Sequence, residues 1–172
     1  LENLVAIFDS DDYWGPKMGS ITESMGRAML RHNARVALDP DRDPNDKYTV
    51  IDLYFILINA ERRAEFVTEV EDPYLREGLK QIAEMDNDDV RPLTRRIKSW
   101  VENAIVRKII SNRDSTIDWD TIVDEGKILL VRIPVDSKDV HQMISLTVIR
   151  NLWSAKKRQS RDDNRETVPY FL

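Results

Sequence analysis

The sequence predicts an α/β protein, in which a mostly helical insert precedes a βαβ unit at the C-terminal end. Residues 49–111 carry short apolar segments with helical spacing and no strand pattern. The pattern changes at Ser115, because residues 127–134 contain a continuous apolar run typical of a strand buried on both faces, and residues 168–172 again resemble a strand. A long helix over residues 138–159 separates the two runs. Strand, helix and strand in this order predict a parallel, right-handed crossover.

The amino-acid composition alone excludes some classes of protein. The chain has 172 residues, of which 26 are Lys or Arg and 31 are Asp or Glu, so its net charge is −5. This acidic balance argues against a nucleic-acid binder that is basic over its whole surface, but it leaves room for a local basic patch. The chain contains no cysteine, which excludes disulfide scaffolds and zinc sites built from cysteine alone.

The length corresponds to about one domain. We divide it into N-terminal helices with an acidic loop (1–48), a helical insert (49–114) and the βαβ segment (115–172). Both ends of the sequence consist of apolar runs rather than polar, frayed residues, so we expect the chain to be a piece of a longer protein.

Helix start signals are clear along the first two thirds of the chain. Pro16 suits the first position of a helix whose apolar residues are Trp14, Met18, Ile21, Met25 and Met29. After a loop over 38–47, Thr49 is the expected N-cap of a helix over 50–58. Further helices are expected from residue 59 or 60 to 70, from 73 to 85, from 90 or 91 to 103 and from 104 to 111, followed by a helical turn over 118–124.

Motifs for catalysis and metal binding are missing from the sequence. Gly126-Lys127 is its one Gly-Lys pair, but Thr121 stands where a phosphate-binding loop needs its first glycine, and Ile128 stands where that loop needs Ser or Thr. The two histidines, His32 and His141, have no second ligand at helical spacing, so the sequence offers no metal site. It also lacks the Gly-x-Ser-x-Gly elbow of the α/β hydrolases.

Basic residues cluster at two places. One cluster lies on the helix that begins near residue 90, and the other lies at the end of the long helix. Two interpretations stay open: cations that complement a helix terminus or a solvated face, and cations that contact a phosphate backbone. The clusters are Arg91, Arg95, Arg96 and Lys98, and Lys156, Lys157, Arg158 and Arg161.

Several segments resemble a known family in the same order. Trp14-Gly15-Pro16-Lys17-Met18 resembles the start of a helix in large conjugation and secretion ATPases, and Thr49-Val50-Ile51-Asp52-Leu53 resembles the segment that follows it. Ser115-Thr116-Ile117-Asp118 and the run from Asp124 to Val131 resemble a later stretch. The chain is thus similar to the HerA–FtsK class of P-loop ATPases, nearest the TraG-like, type IV secretion branch, over the segment between the Walker A and Walker B motifs.

The resemblance implies a RecA-like core in a parent protein that uses ATP and Mg²⁺ and works as a homo-oligomeric ring, a hexamer, on DNA. The parent would be cytoplasmic, at the inner face of the membrane through secretion partners. Neither Walker motif is present here, so no catalytic residue is carried over. We expect the chain alone to be inactive, with no cofactor and no small-molecule ligand of its own.

Two groups of candidate site residues follow. Arg132, Asp136 and Ser137 would lie at the carboxyl edge of the first strand, where nucleotides or a neighbouring subunit bind in such folds; an ion pair of structural role is the alternative for Arg132. Lys156, Lys157, Arg158 and Arg161 are the candidates for DNA contact. The alternative function is a non-enzymatic helical module for protein interaction.

Overall fold

The computed structural model describes residues 16–133 and 138–161. Its described residues are 76 % helical and contain no strand. The helices are α1 (Pro16–Leu38), α2 (Val50–Ile58), α3 (Ala60–Glu69), α4 (Pro73–Ala83), α5 (Asn87–Glu102), α6 (Ala104–Ile110), α7 (Trp119–Asp124) and α8 (Lys138–Arg161), with a short 3-10 helix (Pro44–Asp46) between α1 and α2.

The predicted RecA-like parallel sheet is wrong for the described residues. Residues 127–133 form no strand there, and the second expected strand, 168–172, lies outside the described residues. Ile128 and Leu130 are each 90 % exposed, while Leu129 packs against the apolar cluster of α7 and α8. A strand needs a partner that accepts and donates its backbone hydrogen bonds, and no described residue supplies one. The prediction that this run is buried on both faces is therefore wrong.

The described chain falls into two compact units, residues 16–113 and residues 114–133 with 138–161. In the first unit, helices α1 to α5 enclose one apolar core. The predicted apolar face of α1 is confirmed for its described members, because Ile21, Met25 and Met29 are buried and Met18 packs against the same core. Trp14, the first residue of the predicted face, lies outside the described residues. The least exposed core side chains of the other helices are Leu57, Leu79, Val90, Leu93 and Ile97.

Short polar side chains set the helix boundaries in this unit. The expected N-cap Thr49 is confirmed: it forms a capping box with Asp52, in which each side chain bonds the backbone N–H of the other residue. Asn59 ends α2 and also begins α3, since its Oδ1 accepts from the N–H groups of Glu61 and Arg62. Asn103 joins α5 to α6 in the same way. Single-residue junctions of this kind force sharp turns and keep consecutive helices in contact.

A buried arginine ties four helices of the first unit together. Arg63 on α3 is 1 % exposed. Its guanidinium donates to the carbonyl oxygen of Leu57 near the end of α2, to the carbonyl oxygen of Met85 just after α4, and to Asn87 Oδ1 at the start of α5, at 3.0 Å. The two carbonyls belong to helix ends, where intrahelical donors run out. Burial lowers the pKa of Arg63, and the negative charge of Asp86 opposes that shift.

The second unit is built on the packing of α7 against α8. Val123, Leu152 and Ala155 are buried at this contact, and Trp119, Ile122, Leu129 and Val148 pack around them. Asp118 begins α7, because its side chain accepts from Thr121 N–H at 3.0 Å. The end of α7 leads directly into residues 127–133, which form neither helix nor strand.

Candidate functional site

Arg158, one of the predicted DNA contacts, already has a protein partner. Both its Nε and its Nη2 donate to Asp120 Oδ1 on α7, at 3.0 and 2.7 Å. The two side chains are each 57 % exposed. An ion pair as exposed as this one stabilises a fold by about 0–1 kcal/mol and is screened by salt. The pair therefore fixes the position of Arg158 without preventing a phosphate from competing for it.

Lys156 is held by a second polar chain between the two helices. Its Nζ donates to Gln159 Oε1 at 2.6 Å, and Gln159 Nε2 donates to Asp124 Oδ1 at 3.1 Å. Gln159 is only 7 % exposed, so this chain of hydrogen bonds is part of the α7–α8 contact. Lys156 thus contacts a residue that joins the two helices.

Lys157 is the predicted DNA contact that remains directed to solvent. It is exposed, and it makes no ion pair with the described part of the chain. The backbone of Arg161 forms the last residue of α8, and its side chain lies outside what the structure describes. We call Lys156, Lys157 and Arg158 the α8 basic end; its three cations lie within one turn of helix, and among the described residues Asp120 and Asp124 of α7 contact this end of α8.

The predicted nucleotide or subunit site is described in one residue only. Arg132 is exposed in the segment 127–133, which forms neither helix nor strand. Asp136 and Ser137 lie outside the described residues, so the structure does not show the three side chains together.

The Gly126-Lys127 pair has a structural explanation. Gly126 has a positive φ of 62°, and its N–H donates to Val123 O while Lys127 N–H donates to Ile122 O. This pair of backbone hydrogen bonds is typical of a helix C-terminus. It favours glycine, since a residue with a side chain is strained at such a φ. Lys127 Nζ pairs with Glu125 at 2.7 Å. Phosphate loops present the N-terminus of a helix, where the dipole is positive, whereas this pair lies at a C-terminus.

A polar cleft in the first unit was not predicted. Arg31 pairs with Asp72 at 2.9 Å, and Arg35 and Arg42 both contact Glu71. These pairs connect α1 and the loop after it to the start of α4. Their residue types are common on helix surfaces, so only the folded arrangement reveals the network.

Tyr48 lines the same cleft beside an acid. Its hydroxyl donates to Glu69 Oε2 at 2.8 Å, and its ring lies 4.7 Å from His32 and 5.3 Å from Phe66. Burial, then the hydrogen bond and charge of Glu69, raise the pKa of the Tyr48 phenol above its usual range. The cavity between these residues has a volume of about 20 Å³, which is room for about one water molecule.

The described ranges 16–133 and 138–161 contain no group of three His, Asp or Glu side chains that could hold a metal ion. His32 Nε2 instead lies 3.0 Å from the carbonyl oxygen of Asp46. None of the helices within these ranges is long and apolar enough to cross a membrane.

Comparison of the chain with protein-family models, with curated proteins and with solved structures finds no match.

Proposed function

We propose that this chain is a segment of a DNA-translocating, conjugation-type ATPase motor, and that it contacts DNA but does not hydrolyse ATP by itself. The observation that carries the proposal is the order of the family-like segments, which begin at Trp14, Thr49, Ser115 and Asp124. The parent would be a cytoplasmic hexameric ring that uses ATP and Mg²⁺, together with secretion partners at the membrane.

The charge of the α8 basic end supports the DNA-contact part of the proposal. A translocating motor must hold DNA of any sequence, and contacts of that kind go to phosphates through exposed Lys and Arg. Lys157 is exposed, and Arg158 is held by an ion pair that a phosphate can replace. The neighbouring Gln159, to which Lys156 donates, would keep α8 attached to α7 through Asp124 while the other two cations contact the backbone.

The position of Gly126-Lys127 supports the inactivity of the isolated chain. Binding of a triphosphate requires backbone N–H groups and a lysine that converge on the phosphates. Here the lysine pairs with Glu125, and the glycine ends a helix at the negative end of its dipole. In the parent, the phosphate loop would therefore come from residues outside this sequence.

Lysine acetylation with and without DNA tests the contact. The chain is mixed with a short duplex of mixed sequence at about 50 mM salt, and the modification of single lysines is measured by mass spectrometry. We expect Lys157 to be protected by DNA, and Lys80, which is equally a surface lysine in the first unit, to stay reactive. Equal modification of Lys157 with and without DNA would contradict the proposal.

A helical interaction module is the second candidate, and an exposed apolar face favours it. Phe55 and Ile58 on α2 are 42 % and 39 % exposed, and Ile105 and Ile109 on the neighbouring α6 are 43 % and 47 % exposed. Salt distinguishes the two candidates. Binding through phosphates weakens steeply as salt rises, whereas binding through this apolar face would not weaken, because burial of apolar surface is not screened by salt.

A further inference from the structure

Charge is strongly segregated along the first unit. Residues 91–113 hold seven Lys or Arg side chains and one acid, Glu102, whereas residues 16–90 hold 10 cations and 16 acids. The basic part coincides with most of α5, with α6 and with the few residues after it. An acidic protein thus concentrates positive charge on two consecutive helices.

Three of these cations form a line on the solvent side of α5. Arg91, Arg95 and Lys98 follow the spacing i, i+4, i+7, which places them on one helix face, and all three are exposed. The opposite face, which includes Leu93 and Ile97, is buried in the core. We call these three residues the α5 basic stripe. The core holds the helix in place, so the stripe is presented in a fixed direction.

Arg107 extends the positive charge at one end of the stripe. Its Nη1 donates to the carbonyl oxygen of Val101 at 3.2 Å, which places the guanidinium at the C-terminal turn of α5. Lys98 lies in the turn before it. The four cations together span the helix from its second turn to its end, and the only acid of residues 91–113, Glu102, lies among them.

The acids beside the stripe hold its cations weakly. Arg91 pairs with Asp88 at 3.1 Å, and Lys98 pairs with Glu102 at 3.4 Å. All four side chains are more than half exposed, and surface pairs within a helix stabilise it by only about 0.3–0.5 kcal/mol. Arg95 contacts no acid among the residues that the structure describes. A polymer with closely spaced negative charges can therefore compete for all three cations.

We propose that the α5 basic stripe is a second contact for the phosphate backbone of duplex DNA, an inference that takes its ligand from the proposed function. The stripe is linear and spans about 10 Å along the helix axis. Duplex DNA presents about six phosphates over that length, more than the three cations require. No base-reading geometry is implied, so the contact is independent of sequence and suits a translocated substrate.

The experiment measures how DNA affinity depends on salt, by fluorescence anisotropy of a labelled duplex with the full chain. The test variant is Arg91→Gln, Arg95→Gln and Lys98→Gln together. The matched control changes Arg27, Arg62 and Lys80 to Gln: these are also exposed helical cations, and the net charge changes equally. We expect the plot of log affinity against log salt to become shallower by about 2.7 in the test variant and by much less in the control.

Equal changes in test and control variants would overturn the inference, because they would show a general charge effect. So would an unchanged slope in the test variant. A third variant, Lys157→Gln and Arg158→Gln, separates this inference from the proposed function. If only this third variant changes the slope, the α8 contact stands and the stripe inference fails. If only the stripe variant does, the inference stands and the α8 contact fails.

A chain that binds no DNA at about 50 mM salt would overturn both ideas. Self-association at low salt that the stripe variant abolishes, in a chain that does not bind DNA, would assign the stripe to the acidic surface of a second copy and overturn the DNA contact.

Discussion

Replacing Arg63 tests the packing of the first unit most severely. Arg63→Met keeps much of the side-chain volume but removes every donor. The carbonyl oxygens of Leu57 and Met85 and the amide oxygen of Asn87 would then lose the donor they share. A buried acceptor left without a partner costs about 1–3 kcal/mol. Two carbonyls therefore cost about 2–6 kcal/mol, offset in part because no guanidinium has to be desolvated.

We expect a net loss of about 2–4 kcal/mol in the free energy of unfolding. The loss is measured by urea unfolding with far-UV circular dichroism, where a slope of about 1–3 kcal/mol per molar makes the midpoint fall by about 1 M or more. Arg62→Met is the matched control: the neighbouring side chain is exposed, so its replacement should change stability by less than about 0.5 kcal/mol. If Arg63→Met were as stable as that control, Arg63 would not join the helices as described.

Three further predictions concern helix ends. Gly126→Ala should destabilise the chain by about 1–2 kcal/mol in thermal unfolding, because φ is positive there; a variant at least as stable as the parent would contradict the assignment. Thr49→Ala should cost about 0.5–2 kcal/mol, with Thr49→Ser recovering most of it; equal losses would rule out the capping box. The hydrogen bond from Leu75 N–H, then that from Tyr74 N–H and the charge of Arg31, lower the pKa of Asp72. The ionised Asp72 carboxylate therefore stabilises the fold fully above its usual pKa near 4, and this stabilisation is lost as pH falls through the lowered pKa. The difference in unfolding free energy between the parent and Asp72→Asn should thus disappear in acid. A difference that is constant with pH would contradict this.

Local signals in the sequence were sufficient for most helices of the first unit. Pro16 and Thr49 mark helix starts through backbone chemistry that acts within a few residues, so they can be read without a fold. The sequence predicts the start of α5 at residue 90 or 91, but the helix begins at Asn87, with Pro92 inside it. A proline tolerated within the first two turns makes a helix look as if it begins later than it does.

Contacts between residues that are distant in the chain could not be predicted from the sequence. Arg63 looks solvated beside Arg62, although its spacing to Phe66 and Val67, three and four residues on, was a signal that it shares their buried face. Arg158 meets Asp120 across 38 positions, and no local pattern reports such a pair. The strand prediction at 127–133 failed for the same reason, because a strand exists only with a partner and composition does not reveal whether one is present.

The central claim is that this chain contacts DNA but carries no nucleotide site of its own. Calorimetry on one sample tests it most directly. Duplex DNA and ATP with Mg²⁺ are titrated separately into the full chain at low salt. We predict saturable binding of DNA that weakens as salt rises from about 50 to 200 mM, and no binding of ATP. Micromolar binding of ATP with Mg²⁺, together with no binding of DNA, would contradict the claim.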